Sequence, residues 1–429
     1  MIGELLELLR IDARRRWPRE RLIALRDARL HDLVRRSWHD VPAVRAALDA
    51  AGVGPDDVRT ASDLARLPLT TKDALRVAGR NALARWADPA ACASHCTSGS
   101  SGEPLVTHAT PLEERTRNLV RLRALLAMGF RPRDRLVVLG PAEAHRRRPH
   151  ERLGLFWCDN VSLLLSIDDQ IRCLRAWAPT ILWVYPTVLR ALLDRLDGRL
   201  SRVCRPRLVI SSAEVLDDVL RRALTDDLGV DIRQYYAATE VGGIAWQCAA
   251  GSALHVNEDE IVLECLGPDG APAADGEPGF VAVTPLAVRA MPLLRYRLED
   301  RLVRVAGDCA CGLPFARIAP PLGRENEVVR LPSGRTISPL GFGYLLEDLP
   351  DLRQWRVRQT SVERIVLQLR FGAEPDARAL ARTRERVAGY LGEDVRVDVE
   401  RCDFADERRR KFRVFVSDLP VARPAASDG

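Results

Sequence analysis

The chain has 429 residues, enough to bury a large core and to form two or three domains. Its 47% hydrophobic and 29% charged residues exclude intrinsic disorder, and no apolar run reaches the roughly 18 residues of a membrane-spanning helix. The net charge of +6 comes from 65 basic and 59 acidic side chains, and only Lys72 and Lys411 are lysines. The arginines are interleaved with Asp and Glu, and the triplets at 14–16, 146–148 and 408–410 are isolated. Together with the Ala, Gly and Pro richness, that pattern fits a GC-rich composition, so no nucleic-acid partner is expected. The N-terminus places acids among its leucines and lacks a small-residue cleavage site, which predicts a cytoplasmic protein without a membrane anchor.

Residues 1–90 have a helical pattern. Ile2, Leu5, Leu6 and Leu9 follow the spacing of one apolar helix face. Pro-Leu-Thr-Thr-Lys at 68–72 predicts a turn and helix N-cap, with Asp73 just inside the helix. From about 135, short apolar strands (135–140, 180–186, 207–214) alternate with amphipathic helices (168–178, 187–198, 214–228). This is the signature of a mostly parallel sheet with covering helices. Residues 253–306 change to strands joined by Gly/Pro/Asp turns, an antiparallel, barrel-like layer. After Gly-Arg-Glu-Asn-Glu (323–327) come a strand at 364–371, a helix near 376–391 and a strand at 395–400, a small α+β unit.

Ten cysteines without a secretory signal do not read as a disulfide framework. Cys309 and Cys311, followed by Gly312, form a knuckle suited to a soft metal. With Cys248 and His255 they would complete a tetrahedral Cys₃His set, the composition of a closed structural zinc site. The two halves lie far apart in sequence, and four ordinary reduced residues in two loops is the competing reading.

Three segments carry candidate chemistry. Thr-Ser-Gly-Ser-Ser-Gly-Glu-Pro (97–104) offers four hydroxyls and free backbone N–H groups that can wrap a polyphosphate, although its composition equally suits a linker. Tyr-Tyr-Ala-Ala-Thr-Glu (235–240) follows a helix and a short strand, where doubly wound sheets place ligands. A tyrosine there can stack on a purine, and the carboxylate can hold Mg²⁺. Met-Pro-Leu-Leu-Arg-Tyr-Arg-Leu-Glu-Asp (291–300) ends in an acid able to accept hydrogen bonds from ribose hydroxyls. Each alone also reads as a strand end with a solvated acid.

Taken in this order, the segments resemble the adenylate-forming superfamily of acyl-CoA synthetases and adenylation domains, in its phenylacetate-CoA ligase-like branch. The resemblance spans nearly the whole chain. It includes the Leu-Pro-x-Thr-Thr-Lys step at 67–72, Ser-Ser-Ala-Glu (211–214) in the segment lining the adenine pocket, Gly-Arg-Glu-Asn-Glu as the inter-domain hinge, and Arg-Lys-Phe-Arg-Val (410–414) as the C-terminal lysine motif. Ala237 stands for the usual glycine before Thr239-Glu240, Glu103 for a common lysine, Arg410 for a glycine and Asn326 for a common aspartate.

The resemblance implies a large adenylation domain (1–323) and a small hinged C-terminal domain (324–429) carrying the catalytic lysine. It implies that Ser98, Ser100, Ser101 and Gly102 wrap the ATP phosphates. Thr239 and Glu240 would face the α-phosphate and Mg²⁺, while Ser212, Ala213, Glu214 and Tyr236 lie about adenine. Asp300 would bind ribose, Arg324 ribose or phosphate, and Lys411 would be catalytic. Members of this branch carry a zinc site of the same Cys/His pattern, which implies structural zinc at Cys248, His255, Cys309 and Cys311. The implied reaction is ATP-dependent activation of a small carboxylic acid to acyl-AMP, then transfer to coenzyme A. An acyl-carrier protein or a nitrogen nucleophile is an alternative acceptor, and the protein would be a monomer or homodimer.

Overall fold

A computed structural model describes residues 2–96, 105–140, 149–163, 165–323, 329–337, 341–346, 349–373, 375–404 and 413–419. The chain divides into two compact units, Met1–Arg131 with Arg233–Pro321, and Pro132–Ile232 with Leu322–Gly429. No helix among the described residues is long and apolar enough to cross a membrane.

In the first unit, helices Ile2–Ala13, Arg19–Asp40, Pro42–Ala50, Lys72–Ala78 and Pro111–Ala127 accompany a run of antiparallel strands. In spatial order these are Ile261–Leu266, Pro278–Pro285, Tyr296–Val305, Arg317–Ile318, Leu254–Val256, Gly242–Gln247 and Asp231–Ala238. Val281, Val283, Ile244, Leu254, Tyr296 and Leu298 close the core of this layer. The expected cap is present, with Thr71 Oγ1 accepting the Ala74 N–H at 3.2 Å.

One expectation is corrected. Leu5, Leu6 and Leu9 are 51–56% exposed, so they are not the buried face of the first helix. Ile11 is buried and Leu8 half-buried, because the helix lies on Pro111–Ala127 by the opposite side. Spacing identifies a stripe, but the packing partner decides which side turns inward.

The second unit holds four parallel strands in the order Leu208–Ser212, Ile181–Val184, Arg135–Gly140 and Trp157–Ser162. Helices Ile167–Trp177, Pro186–Arg195 and Asp218–Leu228 cover them. The strand at 157–162 has no apolar run to announce it; it is an edge strand whose burial alternates. The last helix starts four residues later than the expected 214, because Asp217 caps it by accepting the Leu220 N–H at 3.0 Å. The C-terminal region of this unit is a sheet of Arg396–Arg401, Arg364–Phe371, Leu352–Ser361 and Phe415–Ser417, with helix Ala377–Leu391. Leu352–Ser361 is the strand that its arginines and glutamines conceal in the sequence, yet Trp355 and Val357 are fully buried.

A buried ionic network fixes the first unit. Arg123 and Asp259 are both fully buried and meet through two hydrogen bonds of 2.6 and 2.9 Å. The same guanidinium donates to Asn257 Oδ1 at 2.7 Å, and Arg14 donates to the same Asp259 carboxylate at 2.9 Å. Burial alone would raise the Asp259 pKa, but Arg123 and Arg14 outweigh it and hold the carboxyl below its ordinary range. Leaving one partner of such a pair uncompensated costs about 3–5 kcal/mol, whereas an exposed pair contributes about 1 kcal/mol or less. Asp259→Asn is therefore expected to lower the urea unfolding midpoint sharply. Asp32→Asn, at the exposed Arg36–Asp32 pair, should leave it nearly unchanged. Equal effects would contradict the ranking.

Candidate active site and metal centre

The Tyr-Tyr-Ala-Ala-Thr-Glu motif closes a hairpin. Asp231–Ala238 pairs with Gly242–Gln247, and Thr239, Glu240 and Val241 form the turn, closed by Val241 N–H to Ala238 O at 3.1 Å. Thr239 is exposed and Glu240 is 8% exposed. Tyr296 Oη donates to Glu240 Oε1 at 3.0 Å. Burial first, and then the Glu240 charge, push the Tyr296 pKa far above its ordinary value, so the hydroxyl stays protonated and keeps donating. Beside it, Tyr236 Oη donates to Asp300 Oδ2 at 2.7 Å. Two strands thus bring two acids into one site and aim each with a tyrosine.

The Pro-Leu-Thr-Thr-Lys segment lies along the strand that carries Asp300. Thr70 N–H donates to Arg295 O at 3.0 Å, and Arg297 N–H donates to Thr70 O at 2.9 Å. Lys72 Nζ reaches Glu299 Oε1 at 3.4 Å. Arg295 sits at φ +47 and hydrogen-bonds Leu67 O at 2.6 Å, which pins the two segments together. Tyr296 and Arg295 are the residues of this site that sequence reading left without a role. Tyr296 and Arg295 lay inside a quoted motif, but nothing in their spacing announced what they touch.

Ser212, Ala213 and Glu214 belong to the second unit, at the end of strand Leu208–Ser212. Trp183 Nε1 donates to Ser212 Oγ at 2.6 Å. Glu214 accepts the Thr187 N–H at 2.8 Å and the Thr187 hydroxyl at 2.6 Å. Ala213 between them has φ +68, a left-handed conformation that a residue with a Cβ holds only at a cost. Ser98, Ser100, Ser101, Gly102, Arg324 and Lys411 lie outside the described residues. The hairpin that carries the 97–104 loop is described: Ala93–Cys96 pairs with Val106–Ala109.

The Cys/His set converges. The ligand atoms of Cys248, His255, Cys309 and Cys311 all lie within 4.8 Å of one another, with Cys248 Sγ to Cys309 Sγ at 3.6 Å and Cys311 Sγ to His255 Nε2 at 3.3 Å. A tetrahedral ion with bonds of about 2.3 Å holds its ligands about 3.8 Å apart, so the donor set fits a small soft cation. Burial pulls the His255 pKa down to about 4, which keeps the imidazole in its neutral, ligating form. Both loops are braced: Leu254–Val256 pairs with Arg317–Ile318, and Trp246 lies 5.1 Å from the His255 ring.

No family model matches the chain. The phenylacetate-coenzyme A ligase of Escherichia coli (strain K12) is 31% identical over 330 residues, covering 72% of this chain and 72% of that protein. The phenylacetate-coenzyme A ligase of Thermus thermophilus is 28% identical over 348 residues, covering 78% and 77%. The solved structure of a 2-hydroxyisobutyryl-CoA ligase in the postadenylation state aligns with a TM-score of 0.80 at 18% identity, covering 95% of this chain and 91% of its own. An anthranilate-CoA ligase bound to anthranoyl-AMP aligns with a TM-score of 0.53 at 15% identity, covering 74% and 65%. The fold is that of the adenylate-forming CoA ligases. Within it, the chain belongs to the phenylacetate-coenzyme A ligase family.

Proposed function

We propose that the chain activates a carboxylic acid with ATP, releasing pyrophosphate and forming acyl-AMP, and then transfers the acyl group to coenzyme A. The observation that carries this reading is the relationship to phenylacetate-CoA ligases over 72% of the chain. The two tyrosine-aimed acids, Glu240 and Asp300, stand on the matched motifs and support it. We place the acid among aromatic and other small organic acids.

In the first step a carboxylate oxygen attacks the α-phosphorus in line, and pyrophosphate leaves with the electron pair of the broken P–O bond. Two anions must meet, so the barrier falls chiefly through positioning and charge neutralisation. We assign Thr239, exposed at the turn, to donate its hydroxyl to the α-phosphate, and Asp300 to accept from the ribose hydroxyls. The resemblance assigns the phosphate wrap to Ser98, Ser100, Ser101 and Gly102, and assigns Lys411 and Arg324 to the C-terminal region and hinge. Glu240, a buried carboxylate engaged at one oxygen by Tyr296, suits Mg²⁺, which when bound supplies positive charge to the phosphate oxygens. In the second step a thiol sulfur attacks the acyl carbon, its proton passing to solvent, and AMP leaves with the electron pair of the broken C–O bond.

We read residues 324–429 as the small domain that presents Lys411 for adenylation and withdraws it for thioester formation. We read the Cys₃His centre as structural zinc, since four protein donors leave no open position for chemistry. We place the protein in the cytoplasm, where the ATP and coenzyme A that the reaction needs are available.

A screen of aryl, fatty and amino-substituted acids, with hydroxylamine trapping of acyl-AMP, is expected to give acid-dependent pyrophosphate release and, with coenzyme A, a thioester. No release with any acid overturns the reading. Release without a CoA thioester transfers the acceptor role to a carrier protein or an amine. Lys411→Ala should slow adenylation by about 100-fold or more, the scale of losing one charge-stabilising donor, and change thioester formation from supplied acyl-AMP by less than about threefold. Equal loss of both half-reactions contradicts the domain roles.

For the metal, the purified chain is expected to carry one zinc per molecule by elemental analysis. Cys309→Ser should lose most of it, and a metal-free wild type whose three donor thiols and imidazole remain freely reactive would refute the site.

A further inference from the structure

The first unit contains a chain of polar contacts that runs from the 97–104 hairpin to the Thr239–Glu240 turn. His95, in the stem strand Ala93–Cys96, meets Glu114 through Nε2 and Oε2 at 2.9 Å. Glu114 Oε2 is 3.8 Å from Arg117 Nη1, one turn further along helix Pro111–Ala127. Arg117 Nη2 then donates to the backbone carbonyl of Thr239 at 2.9 Å. The helix is fixed at its start by a capping box, with Thr110 and Glu113 exchanging hydrogen bonds at 2.8 and 3.3 Å. It therefore presents Glu114 and Arg117 from a rigid base.

The turn is built to receive this guanidinium. Gly242, at φ +92, has Arg117 Nε 3.0 Å from where a Cβ would stand. A Cβ on Gly243 would stand 1.9 Å from the Tyr235 hydroxyl oxygen, a clash. The two glycines after Val241 thus leave room for one arginine and one tyrosine directly behind the turn. Arg117, Val120, Val241, Gly243 and Glu260 line a single crevice there. With its side chain 13% exposed, Arg117 is not an ordinary solvated surface arginine. A half-buried cation is thus held against a carbonyl one residue before a buried carboxylate.

We propose that Arg117, backed by Glu114 and His95, is a positioning residue for adenylation, tying strand Ala93–Cys96 to the Thr239–Glu240 turn and holding that turn in place for the nucleotide. This rests on the reading of Thr239 and Glu240 given under the proposed function. It assigns Arg117 no contact with substrate. Its contribution belongs to the transition state, since an error of about 1 Å in an orienting contact can cost about 100-fold in rate.

The test is acid-dependent pyrophosphate exchange by the full chain, with thermal melting alongside. Arg117→Ala is expected to lower kcat by about 10- to 100-fold while KM for ATP and for the acid each stay within about threefold, the pattern of a contact that matters only as the barrier is crossed. Arg117→Lys keeps one donor for the Thr239 carbonyl and should recover a substantial part of the loss. Glu114→Gln, which retains the side chain's shape, should show a smaller fall in kcat. Arg115→Ala, on the same helix at a 44% exposed position, should stay within twofold. Should Arg117→Ala melt early, the lysine and glutamine variants decide the matter. Wild-type kcat in Arg117→Ala, or a loss expressed only as raised KM, overturns the proposal. Glu240→Gln separates the two levels: if it adenylates normally, the role given to the turn falls, whereas its inactivity beside an active Arg117→Ala refutes Arg117 alone.

Discussion

The Arg123–Asp259 ion pair is the constraint around which the first unit is assembled. Both side chains are fully buried, a placement tolerable only when the charges and the remaining donors find partners. Asn257–Glu260 supplies those partners and collects others. Arg14 and Arg29 reach it from the N-terminal helical segment, and Arg19 donates to Glu258. Arg123 also lies over the Phe315 ring, between the metal-loop cysteines and the strand that pairs with His255. One acidic tetrapeptide thereby joins the N-terminal helices, the long helix Pro111–Ala127 and both halves of the Cys/His centre. Because Arg117 lies six residues before Arg123 on that helix, the pair that anchors the fold also fixes the helix that supports the Thr239–Glu240 turn.

The site repeats one device. A carboxylate is aimed by a tyrosine hydroxyl from a neighbouring strand, Tyr296 for Glu240 and Tyr236 for Asp300. A phenol donates its hydroxyl hydrogen without adding charge, so each acid is oriented by a neutral partner. Tyr236, placed near adenine by resemblance, is seen to orient Asp300, and the two roles are compatible because face and hydroxyl are different parts of the ring.

Most of the architecture was legible because it rests on local patterns. Strands 135–140, 181–184 and 208–212 are apolar runs, and the helices between them have one apolar face. The elements that escaped, 157–162 and 352–361, carry polar residues on one face, so their hydrophobic content falls below what a run reveals. At the site, motifs announced the acids, the hydroxyl-rich loop and the cysteines. They did not announce Arg117, Tyr296 or the Thr70–Arg295 pairing, because those contacts join residues that lie far apart in sequence, the nearest of them 56 positions. The exposed Leu5, Leu6 and Leu9 make the converse point: a correct helical period does not say which face is covered.

The account as a whole stands on acyl-AMP being the product of the first step, and oxygen tracing tests that directly. The most active acid is labelled with ¹⁸O in its carboxylate and turned over with unlabelled ATP and coenzyme A. Attack of the carboxylate on the α-phosphorus, followed by thiol displacement, leaves one labelled oxygen on AMP and none on pyrophosphate. AMP free of ¹⁸O, or label in the pyrophosphate, would contradict it.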